Sequence, residues 1–137
     1  MVGEVSVARR IARECLGVRA RLLNRVVSRI YDEELRPFGI KVSQLSVLVA
    51  VSLEPGLRPV EVGRRLRLEK STLSRNLQRL GVRGWIEIDD GVRLTGSGKH
   101  LLEEVGPAWS AAQKRVRALL GRKGSAALAK VAESVRH

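Results

Sequence analysis

Cysteine is almost absent. Cys15 stands alone in 137 residues, which excludes an internal disulfide framework. The two histidines, His100 and His137, lie far apart and have no thiol or carboxylate at ligand spacing, so no metal site is expected. Aromatic residues make up 3% of the chain, too few for the base-stacking platforms that hold single-stranded nucleic acid. No apolar run approaches the ~20 residues a bilayer span needs, so no membrane association is expected. The N-terminus, MVGEVSVARRIARE, has an early Glu4 and no long apolar stretch of the kind a secretory leader carries. A cytoplasmic protein is therefore expected. Catalytic signatures are missing too. There is no nucleophile elbow for Ser/His/Asp chemistry. Gly91, Gly96 and Gly98 cluster around a hairpin pattern, whereas a phosphate-cradling loop sits between a strand and a helix. Neither an enzyme nor a cofactor is expected.

What is present is positive charge. Twenty-six Lys and Arg against fourteen Asp and Glu leave a net +12, and 44% of residues are hydrophobic, enough for a core in one ordinary domain. Such an excess points to a polyanion, because phosphate contacts release counterions. Half of the net charge falls between Arg58 and Arg83, where eight cations meet two acids. Arg9–Arg29 and Lys114–Arg136 are further basic stretches, so charge alone does not choose a face.

Periodicity gives a mainly α fold with a small β-hairpin. Residues 5–35 read as one long helix, with Ala8, Ile11, Cys15, Val18, Leu22, Val26 and Ile30 in one stripe and a bend expected at Gly17. Asp32-Glu33-Glu34 reads as its solvated end near Arg29 and Arg36. Arg36-Pro37-Phe38-Gly39 stops it, and Ser43 is the expected N-cap of an apolar second helix. Pro59 opens a short helix over 59–66. A turn through Arg67 and Leu68 leads to a helix over about 70–83, with Leu73, Leu77 and Leu80 inward. At about 100° per residue, Ser71, Thr72, Arg75, Gln78 and Arg79 then face outward.

After Gly84 the period falls to two. A three-residue loop, Asp89-Asp90-Gly91, pairs Ile88 with Val92, Glu87 with Arg93 and Ile86 with Leu94. This register gathers all four apolar side chains on one face and puts Gly91 at a left-handed position. Thr95 is the expected cap of a long helix over 96–120 that Pro107 bends. Gly121–Gly124 breaks it, and Ser125 is expected to cap a last helix to about Val135.

Helix, turn, basic helix, hairpin, long helix is the order of a winged helix-turn-helix lobe. Val60–Leu102 resembles the MarR (multiple antibiotic resistance regulator) family of bacterial and archaeal transcription factors. The resemblance is carried by Lys70-Ser71-Thr72-Leu73-Ser74-Arg75, by Leu80…Gly84-Trp85-Ile86, by Leu94-Thr95-x-x-Gly98, and by Val42-Ser43-Gln44-Leu45 upstream. It implies one MarR-like domain, with residues 40–98 as the DNA-binding lobe and 4–36 and 99–136 as dimerisation helices. It implies a homodimer that grips double-stranded DNA, a recognition helix in the major groove, and a wing toward the minor groove. The expected function is a ligand-responsive repressor on a pseudo-palindromic operator. Family effectors are often aromatic carboxylates, so a small anionic or aromatic effector is a candidate partner.

Carried over by residue, the recognition positions are Ser71, Thr72, Ser74, Arg75 and Arg79, nearly the set chosen by the helical wheel. Asn76 and Gln78 complete that helix's candidate contacts. Arg58, Arg64, Arg65 and Lys70 are expected on phosphates. The wing departs from the family, whose wings are longer and carry an Arg near the tip. Here the tip is acidic, and Arg93 reads either as a wing contact or as the partner of Glu87. Cys15 is a redox candidate, because a peroxide-sensing branch carries a reactive cysteine early in its first helix. Yet Tyr31 is the only tyrosine, and Cys15 also fits its apolar stripe as a small hydrophobe. Two other readings stand: a sequence-indifferent architectural DNA binder, and a winged-helix protein-interaction module.

Overall fold

The computed structural model describes residues 2–136, with side chains from residue 6 onward; His137 lies outside the described residues. Among the described residues, seven helices and one hairpin follow each other in the order α1 (Val2–Glu14), α2 (Leu16–Leu35), a 3-10 turn (Arg36–Phe38), α3 (Val42–Leu53), α4 (Pro59–Leu66), α5 (Lys70–Val82), β1 (Ile86–Ile88), β2 (Val92–Leu94), α6 (Gly96–Glu104) and α7 (Gly106–Ser134).

The expected single first helix is two helices. The break falls at Cys15, not at Gly17. Cys15 is extended (φ −68°, ψ 111°), and its sulfur accepts the Val18 N–H at 3.4 Å, capping α2. The second helix likewise starts two residues earlier than Ser43 implied, with Lys41 as its N-cap. Gln44 Oε1 accepts the Lys41 N–H at 3.0 Å, and Asp32 of α2 accepts the Val42 N–H at 2.8 Å. Two side chains outside the Ser position thus take the free donors of the first turn.

The lobe core is built on α3, whose Val47, Leu48 and Val51 are fully buried. Around it close Leu35 from α2, Val62 from α4, Leu73, Leu77 and Leu80 from α5, Trp85, Ile86, Val92 and Leu94 from the wing, and Leu101 and Val105 from α6. Burying each such side chain contributes roughly 1.5–3 kcal/mol. Gly63 is where α4 and α5 cross: a Cβ there would sit 3.2 Å from Leu73 Cδ2.

The hairpin has the expected register, Ile86↔Leu94, Glu87↔Arg93 and Ile88↔Val92. Its apolar face is incomplete, because Ile88 at the tip is 53% exposed while the other three are buried. Gly91 is not left-handed. It is glycine because its backbone is pressed against the loop before α4, where a Cβ would lie 2.1 Å from the Gly56 carbonyl oxygen. That loop adds a one-residue third strand, with the Val92 N–H on the Leu57 carbonyl at 2.8 Å and the Gly56 N–H on the Val92 carbonyl at 3.0 Å.

Thr95 caps α6 as expected, its Oγ1 accepting the Gly98 N–H at 3.1 Å. Beyond it the disturbance anticipated at Pro107 divides the helix at Val105, which keeps helical angles (φ −76°, ψ −10°), with Pro107 in the first turn of α7. The second break is sharper than a four-residue gap: only Gly121 leaves helical geometry (φ 74°, ψ 172°), and the helix resumes at once. Ser125 is not a cap, since its Oγ is buried without a hydrogen-bond partner.

Candidate nucleic-acid interface

The second helix of the helix-turn-helix pair is held by its apolar side. Leu73, Leu77 and Leu80 are buried, which turns Ser71, Ser74, Arg75, Gln78 and Arg79 out to solvent and leaves Thr72 half-buried. Arg67 takes the left-handed conformation (φ 52°) that ends α4 and aims the chain into α5, and the Leu68 N–H closes the turn on the Gly63 carbonyl at 2.9 Å. The face so presented begins with small hydroxyls and continues with Arg and Gln, groups that can bond phosphates and base edges.

Asn76 does not belong to this face. It is 6% exposed, packed inside the lobe, with Nδ2 lacking a hydrogen-bond partner. It stands three residues after Leu73 and four before Leu80, on the inward arc of the helix.

Of the four expected phosphate contacts, Arg58, Arg64 and Lys70 are exposed along α4 and the start of α5. Arg58 precedes α4, and its N–H donates to Glu61 Oε1 at 3.2 Å. Arg65 is engaged elsewhere. Its Nε and Nη2 donate to the two oxygens of Glu54 at 3.0 Å each, a fork that ties α4 to the end of α3. The Arg65 guanidinium holds the Glu54 carboxyl below its ordinary value, chiefly through the hydrogen bond.

Arg93 is exposed on β2 and makes no ion pair with Glu87, although the two are cross-strand neighbours. Its guanidinium lies over Gly56 instead, with Nη2 2.7 Å from where a Cβ would be. The wing tip beyond it, Asp89-Asp90, is acidic and exposed.

Several anchoring residues were not legible as such. Arg83, at the end of α5, donates to the Gly39 carbonyl at 3.1 Å and stacks 4.2 Å above the Trp85 ring centroid. The signal for it was a cation two residues before the only aromatic of the wing. Asp32-Glu33-Glu34 does end α2, with Glu33 exposed near Arg29 and Arg36, but all three carboxylates also have distant partners. Asp32 caps α3, while Glu33 and Glu34 share Arg115 of α7. His100 forms an exposed pair with Glu104 at 2.8 Å on α6.

Beside α5 runs a groove of about 940 Å³ between α4, α5 and β1, floored by Gly63, Leu73, Leu77 and Ile86 and edged by Ser74 and Gln78. Outside the lobe, α1, α2 and α7 leave Val7, Ile11, Leu16, Leu22, Leu119, Leu128 and Val131 exposed.

Residues 38–93 match the sequence pattern of the MarR family. The transcriptional regulator MosR of M. tuberculosis superposes with a TM-score of 0.74 at 30% identity, covering 88% of this chain and 97% of that one. The chain belongs to the MarR family. Members are transcription regulators, not enzymes. The E. coli multiple antibiotic resistance protein MarR is 32% identical over 72 residues, 53% of this chain, and the match spans half of MarR's length. A mutant E. coli MarR, solved in complex with operator DNA, has a TM-score of 0.75 at 26% identity, with 92% of this chain and 96% of that one covered.

Proposed function

We propose that this MarR-family chain is a sequence-specific, double-stranded DNA-binding transcription regulator that acts as a homodimer. The observation that carries the reading is the bare face of α5, where Ser71, Ser74, Arg75, Gln78 and Arg79 stand together in solvent on a helix whose other side is locked in the core. Each Arg can give two parallel hydrogen bonds to guanine O6 and N7, worth roughly 1–3 kcal/mol of discrimination. Arg58, Arg64 and Lys70 flank that face and suit phosphates. The mutant E. coli MarR of like fold was solved on operator DNA.

Homodimerisation is supported by the uncovered apolar side chains of α1, α2 and α7, a row that a monomer would leave in water. A two-fold dimer would present two copies of α5 to half-sites about one helical turn, roughly 34 Å, apart. Repression follows by occlusion of the promoter. A small anionic or aromatic effector in the groove beside α5 would touch Ser74 and Gln78 and compete with DNA, so each would weaken the other equally. Minor-groove reading by the wing has no support here, since Arg93 is folded over Gly56 and the tip is acidic.

Selection of bound fragments from a random duplex pool tests the reading, together with sedimentation of the free protein. The expected result is two inverted half-sites and a dimer mass. Enrichment of no sequence at all favours an architectural binder, and no duplex binding favours a protein-interaction module.

A further inference from the structure

Two struts connect the DNA-binding lobe to the helices outside it. One is the last turn of α2, whose Leu35 is wholly buried in the lobe core. The other is the start of α7, which leaves α6 across Val105-Gly106-Pro107. Pro107 has no N–H to donate, so the helical ladder is locally interrupted between the Val105 N–H bond to Leu101 and the Trp109 N–H bond to Val105. Past that junction α7 packs beside α2, and the side chains it buries there, Ala112 and Val116, are small. Such a contact resists separation but does little to fix rotation or sliding.

Directional bonds do that. Arg115 Nη2 donates to Glu33 Oε2 at 2.8 Å and Nη1 to Glu34 Oε1 at 3.0 Å, so one planar guanidinium spans two successive carboxylates of α2. Tyr31 donates its hydroxyl to Gln113 Oε1 nearby on α7. On the same turn of α2, Asp32 accepts the Val42 N–H and so grips α3. Residues 32–34 thus hold the lobe with one carboxylate and α7 with the next two. We propose that Arg115 is a positioning residue: through its fork with Glu33 and Glu34 it fixes the angle at which the lobe hangs, and thereby the half-site spacing the protein accepts. The inference rests on the operator reading above. A fork sets both register and rotation between two helices, which a point charge does not.

The test uses the duplex that the full-length protein selects from a random pool, and the same duplex with one base pair added or removed between half-sites. That change moves one half-site by about 3.4 Å and a tenth of a turn. Affinities of wild type, R115Q, R115K and the E33Q/E34Q double variant are compared on these duplexes and on a random duplex. The expected result is that the preference for the selected spacing falls by about threefold or more in all three variants, with random-duplex affinity changed little. R115Q removes a positive charge and E33Q/E34Q removes two negative ones, so a shared loss of spacing preference cannot come from net charge. Combining R115Q with E33Q/E34Q adds nothing further. An unchanged spacing preference in folded R115Q overturns the proposal, as does a uniform loss on every duplex. Unfolding of both R115Q and E33Q/E34Q leaves the fork a structural role only and overturns it too. A wild-type pool without paired half-sites overturns the operator reading, and the spacing role with it.

Discussion

At the scale of single residues, the face of α5 was legible because a regular helix obeys its period. Leu73, Leu77 and Leu80 fix the inward arc, and Ser71, Arg75 and Arg79 follow outward by geometry. The same arithmetic places Asn76 inward, and residue type misled: an amide suggests a DNA contact, although its position is core. Two predictions follow from that contrast. R75A and R79A each lower affinity for the selected operator by roughly 1–3 kcal/mol and relax preference at one base position, while random-duplex binding changes little; competition titrations measure both. N76L removes a buried donor that has no partner. It is expected to raise the unfolding free energy by about 1 kcal/mol and to leave the selected sequence unchanged, which urea melts and a repeated selection check. The roles of Asp32, Glu33, Glu34, Arg65 and Arg83 were hidden because their partners lie far along the chain, up to 82 residues away for Glu33 and Arg115. The Arg115 hydrogen bond, the largest cause, holds the Glu33 carboxyl below its ordinary 4.5. Its contribution to stability is therefore present above 4.5 and is lost as pH falls through the depressed value. A carboxyl-carbon NMR titration should find Glu33 below 4.5 in wild type and back near it in R115Q.

At the scale of elements, the motifs that carried the family resemblance prove to be joints. Gly84 is left-handed (φ 76°) and turns the chain from α5 to the wing. Thr95 closes the wing onto α6: its hydroxyl donates to the Gly84 carbonyl at 2.6 Å and accepts the Gly98 N–H at 3.1 Å. Gly98 must be glycine because a Cβ would lie 2.1 Å from the Trp85 carbonyl oxygen. None of these residues needs to touch DNA, and all of them set where α5 sits. Accordingly G98A should lose several kcal/mol of stability or fail to fold, whereas G96A, with nothing within 4 Å of its Cβ, should be tolerated or slightly stabilised; thermal melts separate the two. The hairpin register was readable because only one pairing gathers Ile86, Val92 and Leu94 on a single face. Helix breaks were read less well. The break at Cys15 carries no proline, and Gly17 two residues on remains helical, so propensity pointed two residues too far. At Val105 the proline announced a disturbance but not its form.

At the scale of the whole molecule, the net +12 and the scarcity of aromatics already favoured a duplex over a single strand. They could not choose a face, because basic residues also line α1, α2 and α7. The proposal takes α5, because the fold turns that basic helix outward beside α4 and folds the wing's Arg93 back over Gly56. The uncovered apolar side chains outside the lobe predict association: sedimentation should give a dimer, and L22E or L128E should shift it toward monomer and lower operator affinity together. The most direct test of the central claim is the affinity of the dimer at 150 mM salt for its selected duplex against a scrambled duplex of equal length and composition. The account predicts a ratio of at least ~10³ for wild type, collapsing toward one when Arg75 and Arg79 are both replaced by alanine. Equal affinity of wild type for the two duplexes, or a ratio indifferent to the double replacement, would contradict it.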